Sequence, residues 1–146
     1  MIAKTFGKNL TVLDSTDPEQ IRLAIPQDLS QTLVIVGSKS GSTIETGSQK
    51  SLFEKLFADA NLNPKDHFVI ITDPNTPLDE IARNEGYRVI NANPDVGGRF
   101  SALSAFGLVP AALIGVDISI LGNLLQANYT PYNNFPSHRK SLREAE

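Results

Sequence analysis

Four hydroxyl side chains fall within six consecutive residues, a density that suits the binding of an anion such as a phosphate group. They follow an apolar run that ends at Gly37, and they are Ser38, Ser40, Ser42 and Thr43. A helix is predicted directly after them, and the first turn of a helix offers free backbone N–H groups at the positive end of its dipole. We name residues 38–43 the hydroxyl loop and predict a phosphate-monoester site there. The alternative is that these residues only cap the helix.

The spacing of the glycines separates this loop from two well-known phosphate loops. A nucleotide P-loop has four residues between its glycines and continues Gly-Lys-Ser/Thr, whereas three residues separate Gly37 from Gly41 here and Ser42 follows. A dinucleotide fingerprint requires Gly-x-Gly-x-x-Gly, which is absent, and Asp73 lies too far along the chain to serve as the ribose-binding acid. A terminal sugar phosphate therefore fits the loop better than a nucleoside triphosphate.

A second polar segment also follows a predicted strand and precedes a predicted helix. We name residues 91–101 the glycine–arginine segment, because Gly97, Gly98 and Arg99 lie at its centre. Paired glycines beside an arginine place close backbone amides and a fixed cation at the sheet edge that also carries the hydroxyl loop. The alternative is a tight turn in which Arg99 pairs with Asp95.

The elements that must position these segments form an alternating pattern of strands and helices. Runs that are apolar on both faces, as in buried parallel strands, occur at residues 32–37, 67–73 and 87–91. Helical patterns separate them at residues 44–60 and from Thr76 to Glu85, where Gly86 ends the helix. A first strand at residues 10–14 and a helix that reaches about Ile25 precede them. The pattern predicts an α/β fold with a doubly wound parallel sheet sandwiched by helices.

The C-terminal part of the chain has a different character. Residues 100–115 and 117–127 are predicted to be helical, with Pro110 kinking or interrupting the first stretch. Residues 128–146 contain prolines among polar and aromatic side chains, which predicts an extended tail with at most a short helix at residues 141–146. We therefore expect one domain over residues 1–127 and a tail over residues 128–146.

Composition limits the function classes. The 146 residues are 40% hydrophobic and 20% charged, which is typical of a single globular domain. A net charge of −3 gives no basic field for nucleic acid, and no apolar run is long enough for a signal peptide or a membrane span. The chain has no cysteine, and His67 and His138 lie far apart, so we expect no metal site. The absence of cysteine also fits a cytoplasmic location, and we expect no cofactor.

The two segments resemble the signatures of glucose-6-phosphate isomerase. The stretch Ser38-Lys39-Ser40-Gly41-Ser42-Thr43-Ile44-Glu45-Thr46 is similar to the sugar-phosphate loop of that family. The stretch Asp95-Val96-Gly97-Gly98-Arg99-Phe100-Ser101, followed by Gly107-Leu108-Val109-Pro110-Ala111, is similar to its second signature. Thr72-Asp73-Pro74 and residues 111–117 resemble a bacterial branch that includes fusions to transaldolase. The resemblance covers roughly residues 5–125 and implies a sugar isomerase (SIS) domain.

The resemblance implies roles for individual residues. By motif position, the phosphate would be held by Ser38, the Lys39 backbone, Ser40, Ser42 and Thr43. Gly98 and Arg99 would face the reacting end of the sugar, where Arg99 would stabilise the negative charge of an enediolate. The implied reaction interconverts glucose 6-phosphate and fructose 6-phosphate by ring opening, proton removal from C2 and proton return at C1.

The resemblance also implies that this chain alone lacks catalytic groups. In the family, the base glutamate, the ring-opening histidine and a late lysine lie downstream of the matched region. Glu45 matches a glutamate inside the phosphate-loop motif, and neither His67 nor His138 matches the histidine. We therefore expect a first SIS domain, truncated before Thr5 and inactive alone.

Two other functions compete with this interpretation. The first is a freestanding SIS module that senses a sugar phosphate and regulates a partner, although the sequence contains no DNA-binding segment. A nucleotide-binding Rossmann domain is a more distant possibility. Apolar residues in the helical region 102–125 and three aromatic residues in the tail predict a homodimer.

Overall fold

The computed structural model describes residues 2–7 and 9–128. The described chain divides after Val116 into two compact units. The first unit contains the sheet and the helices packed on it, and the second contains α7 (Ile118–Asn128). No described helix is long and apolar enough to cross a membrane.

Three parallel strands form the sheet, in the order in which they occur along the chain. They are β1 (Val34–Ser38), β2 (Phe68–Thr72) and β3 (Arg88–Asn91). Val36 lies beside Ile70, which in turn lies beside Val89. Every residue of the central strand β2 is buried, because strands flank it and helices cover it. The predicted parallel α/β sheet is confirmed, with three of the four expected strands.

Helices cover both faces of this sheet. On one face, α3 (Ile44–Asp59) and α5 (Pro77–Glu85) contribute to a buried cluster formed by Val36, Phe53, Phe57, Phe68, Ile70 and Ala82. Helix α6 (Ala105–Leu113) lies on the other face. The evidence is that a side chain at Gly37, which would point to that face, would begin 3.4 Å from the Phe106 ring. Each large apolar side chain buried in this way stabilises the fold by about 1.5–3 kcal/mol.

Side chains cap several of these helices at the predicted places. Asp17 accepts a hydrogen bond from the Gln20 N–H at 2.9 Å at the start of α2 (Pro18–Ala24). Gly86 ends α5 in the left-handed conformation, with φ +83°. Three short helices were not predicted: α1 (Ile2–Thr5), a 3₁₀ helix (Leu29–Gln31) and α4 (Pro64–His67). The pair Asn63-Pro64, a cap followed by a proline, was the available signal for α4.

The predicted strand at residues 10–14 is wrong. Four of these five residues are exposed, and Val12 keeps 70% of its surface accessible. Only Leu13 packs against the core cluster. A strand is stabilised by a partner strand and by burial of one face, and this apolar run has neither.

The C-terminal helices confirm the prediction in part. A 3₁₀ helix (Gly98–Leu103) precedes α6, so the break falls at Ser104 rather than at Pro110, which lies inside α6. The missing proline N–H removes one helix hydrogen bond, yet the Ile114 N–H still reaches the Pro110 carbonyl at 3.2 Å. Helix α7 lies within one residue of its predicted bounds. The predicted tail, apart from Asn128, and its helix at residues 141–146 lie outside the described residues.

Candidate functional site

Ser38 organises the hydroxyl loop from the last position of β1. Its side chain is buried, with 6% of the residue exposed. The Ser38 Oγ lies 3.1 Å from the Thr43 Oγ1 and accepts a hydrogen bond from the Gly41 N–H at 3.2 Å. These two contacts close the loop on itself.

Gly41 occupies the tightest point of the loop. Its φ of +67° lies in the left-handed region that favours glycine. A side chain at this position would begin 2.7 Å from the Thr76 Cβ and 3.0 Å from the Leu78 Cβ. The loop can therefore approach the start of α5 only because residue 41 is glycine.

The first turn of α3 has no side-chain cap. Thr43 is the N-cap residue, but its hydroxyl contacts Ser38 instead of a helix N–H group. Ser40 and Ser42 contact each other, with 3.1 Å between their hydroxyl oxygens. The hydroxyl groups therefore leave the N–H groups of the first helical turn available to an anion. The phosphate hypothesis expects free N–H groups here, whereas the capping alternative expects a hydroxyl group to accept from one of them.

Lys39 points its side chain along the sheet edge. The Lys39 Nζ donates to both carboxylate oxygens of Asp73, at 2.9 and 2.7 Å, and to the Asn93 carbonyl at 3.1 Å. Its ammonium group is thus engaged by protein acceptors. The ammonium group is therefore occupied, and the Lys39 backbone is the part of this residue that could contact a phosphate at the hydroxyl loop.

The glycine–arginine segment presents a cation that pairs with no carboxylate of the described chain. Arg99 and its neighbour Gly98 are exposed at the start of the 3₁₀ helix. The guanidinium carbon lies 5.2 Å from the centre of the Phe100 ring, a cation–π contact. No ion pair between Arg99 and Asp95 occurs in the part of the chain that the structure describes. The tight-turn alternative therefore lacks the contact on which it depended.

Gly107 of the second signature has a steric reason to be glycine. A side chain at this position would begin 1.9 Å from the Ala102 carbonyl oxygen. The 3₁₀ helix can fold against the start of α6 only without that side chain.

Sequence reasoning missed a polar network that joins the ends of β2 and β3. Asp79 accepts hydrogen bonds from the Asn75 N–H, the Arg83 Nε and the Asn91 Nδ2, at 3.0, 2.9 and 2.9 Å. The bond from Asn91 is the main reason that the pKa of Asp79 lies below its ordinary value. Burial opposes this effect, and the Asn75 N–H and Arg83 lower the pKa further. The available signal was the run of polar residues directly after β2.

A second unpredicted network lies behind the hydroxyl loop. Lys50, which is buried, contacts Glu54 at 2.6 Å and Glu85 at 3.3 Å, and lies 4.8 Å from the centre of the Tyr87 ring. Burial, together with the hydrogen bond that the Tyr87 hydroxyl donates to Glu54, raises the pKa of Tyr87. Between Lys50 and the loop is a cavity of about 30 Å³, large enough for about one water molecule.

No group of three or more residues suited to binding a metal ion occurs within residues 2–7 and 9–128. The hydroxyl loop and the glycine–arginine segment supply hydroxyl groups, backbone amides and the exposed guanidinium group of Arg99.

Comparison with known proteins decides the family. The family model for phosphoglucose isomerase matches residues 3–135. The chain belongs to this family. It is 47% identical over 110 residues to a glucose-6-phosphate isomerase from Cyanothece sp., a match that covers 73% of this chain and 21% of that protein.

Two solved structures resemble this member of the phosphoglucose isomerase family. A hypothetical protein from Thermus thermophilus superimposes with a TM-score of 0.72 at 42% identity, over 79% of this chain and 28% of that one. A glucose-6-phosphate isomerase from Chlamydia trachomatis gives a TM-score of 0.61 at 36% identity, over 67% and 19% of the two chains. The chain thus spans between 19% and 28% of the length of these relatives.

The two segments that carry the resemblance follow the two outer strands of the described sheet in this family member. The hydroxyl loop follows β1, the glycine–arginine segment follows β3, and β2 separates the two strands. The contacts of individual residues with a sugar phosphate remain predictions.

Proposed function

We propose that this chain is the phosphate-binding part of a glucose-6-phosphate isomerase, and that the whole protein interconverts glucose 6-phosphate and fructose 6-phosphate. The observation that carries the proposal is the match of the phosphoglucose isomerase family model to residues 3–135. The geometry of the hydroxyl loop supports it, because a loop rich in hydroxyl groups leads into an uncapped helix.

The phosphate group of the substrate would lie over the start of α3. There it would accept hydrogen bonds from the backbone N–H groups of the first turn and from the hydroxyl groups of Ser40, Ser42 and Thr43. Ser38 and the Lys39 backbone N–H would complete the phosphate site, and Ser38 would also hold the loop in shape through its contacts with Thr43 and Gly41. The positive end of the α3 dipole favours the dianionic form of the phosphate.

The reacting end of the sugar would face Gly98 and Arg99. Proton removal from C2 of the open-chain sugar leaves negative charge on the oxygen at C1. A proton then moves from the oxygen at C2 to the oxygen at C1, so that the charge lies on the oxygen at C2, and protonation of C1 gives the ketose. Arg99 is exposed and carries no carboxylate partner in the described chain, so its charge is available to stabilise the enediolate. The carboxylate base would come from outside this chain.

Thr43 offers a direct test of the phosphate site. Replacing Thr43 by Val removes a hydroxyl group that would donate to the phosphate, and affinity for glucose 6-phosphate should fall about tenfold or more. Ser48→Ala is the matched control, since the Ser48 hydroxyl donates only to the Ile44 carbonyl of the same helix at 2.9 Å.

Isothermal titration of glucose 6-phosphate into the wild-type chain and both variants measures the effect. Wild type and Ser48→Ala should bind with affinities within about twofold of each other. Equal affinity of wild type and Thr43→Val, or equal binding of unphosphorylated glucose, would contradict the proposed site.

We further propose that the chain forms an SIS domain that acts in the cytoplasm as part of a homodimer, without nucleic-acid or membrane partners. The net charge of −3 disfavours a nucleic-acid partner, and the absence of cysteine fits a reducing compartment. The exposed side chains of Phe100, Leu103 and Leu113 support the homodimer. One relative of the chain, from Arabidopsis thaliana, is named a chloroplastic isomerase.

A further inference from the structure

The Lys39 side chain connects the loops that follow all three strands. Lys39 itself follows β1, Asp73 follows β2, and Asn93 lies in the glycine–arginine segment after β3. The ammonium group donates to Asp73 at 2.7 and 2.9 Å and to the Asn93 carbonyl at 3.1 Å. In sequence, these two partners lie 34 and 54 residues away from Lys39.

The pair between Lys39 and Asp73 is partly shielded from water. The Lys39 side chain is 25% exposed and the Asp73 side chain 15%, in contrast to 73% and 61% for the surface pair of Lys55 and Asp59 on α3. Partial burial strengthens an ion pair and fixes its geometry. Because Asp73 balances its charge, Lys39 adds little net attraction for a phosphate.

The contact continues from Asn93 into the part of the segment that would face the sugar. The Asn93 carbonyl that accepts from Lys39 also accepts from the Val96 N–H at 3.3 Å. The Asn93 side chain accepts from the Asp95 N–H at 2.9 Å, and the Gly97 carbonyl accepts from the Phe100 N–H at 2.9 Å. The hydrogen bonds to Asn93 hold residues 93–96, and the next residue, Gly97, holds the start of the 3₁₀ helix that carries Arg99, so that Lys39 is linked to this helix through one peptide bond.

We propose that Lys39 is a positioning residue, whose ammonium group fixes the distance between the phosphate end and the reacting end of the substrate site. This inference rests on the proposed function, since it concerns the same site. The hydroxyl loop alone would bind inorganic phosphate, and the coupled glycine–arginine segment would add recognition of the sugar. Loss of the Lys39 contact would therefore reduce discrimination between glucose 6-phosphate and inorganic phosphate.

The first experiment measures the coupling without any ligand. Amide hydrogen exchange of Val96 and Phe100 is compared in the wild-type chain, Lys39→Met and Lys55→Met. Lys39→Met should speed exchange at both amides about fivefold or more. Without the bond from Lys39 to the Asn93 carbonyl, less free energy is needed to open the glycine–arginine segment locally. Lys55→Met removes a lysine–aspartate pair of the same kind far from the loops, and it should leave both amides unchanged.

Asp73→Asn removes the carboxylate charge that holds the Lys39 ammonium group in place beside the Asn93 carbonyl, and it serves as the second variant if Lys39→Met does not fold. It should also speed exchange of Val96 and Phe100. Wild-type exchange rates in a folded Lys39→Met or Asp73→Asn chain would overturn the proposed coupling.

The second experiment separates positioning from direct charge attraction. The double variant Lys39→Met with Asp73→Asn removes one positive and one negative charge, so the net charge of the site is unchanged. Titration should give an affinity for inorganic phosphate within about twofold of wild type, while affinity for glucose 6-phosphate falls about fivefold or more.

Each result of the titration bears on one claim. An equal loss of affinity for both ligands would identify Lys39 as a direct phosphate ligand and overturn the positioning role. A wild-type chain that binds neither ligand would contradict the proposed function and the role in discrimination, and hydrogen exchange would still decide whether Lys39 couples the two loops.

Discussion

Gly41 is the residue whose backbone constrains the hydroxyl loop most tightly. Gly41→Ala should destabilise the chain by at least about 2 kcal/mol, because alanine costs about 1–2 kcal/mol in the left-handed region and would also crowd Thr76. The two close approaches to Thr76, at 2.7 Å each, leave no room for a methyl group. Urea unfolding measures the effect.

Gly47, six residues further along, is the matched control. It lies inside α3, and a side chain there would have no neighbour within 4 Å. Gly47→Ala should stabilise the chain by about 0.5–1 kcal/mol through reduced backbone entropy of the unfolded state. Equal effects of the two substitutions would show that the conformation of Gly41 is not constrained as described.

At the residue scale, the sequence indicated the hydroxyl loop because all its signals are local. An apolar run, four hydroxyl groups and a helical pattern lie within one short stretch around Ser38. The contacts of Lys39 with Asp73 and Asn93 could not be predicted in the same way, because they depend on which strands are neighbours. Only the strand order brings these residues together.

At the scale of elements, hydrophobic pattern predicted the buried strands and failed at an exposed one. Strands β1 and β2 have buried or half-buried apolar residues on both faces. Strand β3 is more exposed and lies beside β2. Residues 10–14 have a similar composition, yet only Leu13 reaches the core. Composition does not show whether an apolar run pairs with the edge strand of a sheet. The strand predicted at residues 10–14 was therefore wrong.

The junction of α5 with β3 should depend on pH through Asp79. Its pKa is lower in the folded chain than in the unfolded chain, so its stabilisation is complete above the ordinary pKa of 3.8 and is lost as pH falls through the folded value. Asp79→Asn should therefore unfold at lower urea concentration than wild type at pH 7. The difference between the two proteins should shrink below about pH 3.8.

Asn91→Ala tests the cause of this effect, since Asn91 contributes most to the lowered pKa. Stability should therefore fall less steeply with decreasing pH in Asn91→Ala than in wild type, as in Asp79→Asn. A constant difference between wild type and Asp79→Asn from pH 7 to the acid limit would contradict the assignment.

At the scale of the whole molecule, the 146-residue chain assayed alone should not catalyse isomerisation above background. Glu45 lies in the phosphate-loop motif and no other glutamate of the described chain lies in either of the two segments. Loss of a positioned general base removes about 100-fold to about 10,000-fold in rate. Ready conversion of fructose 6-phosphate to glucose 6-phosphate by this chain would show that its catalytic groups have been misplaced.

Exposed apolar side chains predict that the chain forms a homodimer. In the first unit, Phe100, Leu103 and Leu113 keep 69%, 43% and 51% of their surfaces exposed. Such surfaces on a small chain favour self-association. Sedimentation at tens of micromolar should give a dimer, weakened by deletion of residues 128–146. A monomeric mass would contradict the dimer, and an unchanged dimer after the deletion would exclude the tail from the interface.

The most direct test of the sugar-phosphate site is an NMR titration of the labelled chain with glucose 6-phosphate and, separately, with glucose. The amide signals of residues 38–46 should shift strongly with glucose 6-phosphate, because the phosphate binds their N–H groups, and signals of Gly98 and Arg99 should shift with them. Glucose should leave all of them in place. Equal shifts with both sugars, or no shift at residues 38–46, would contradict the account of this site.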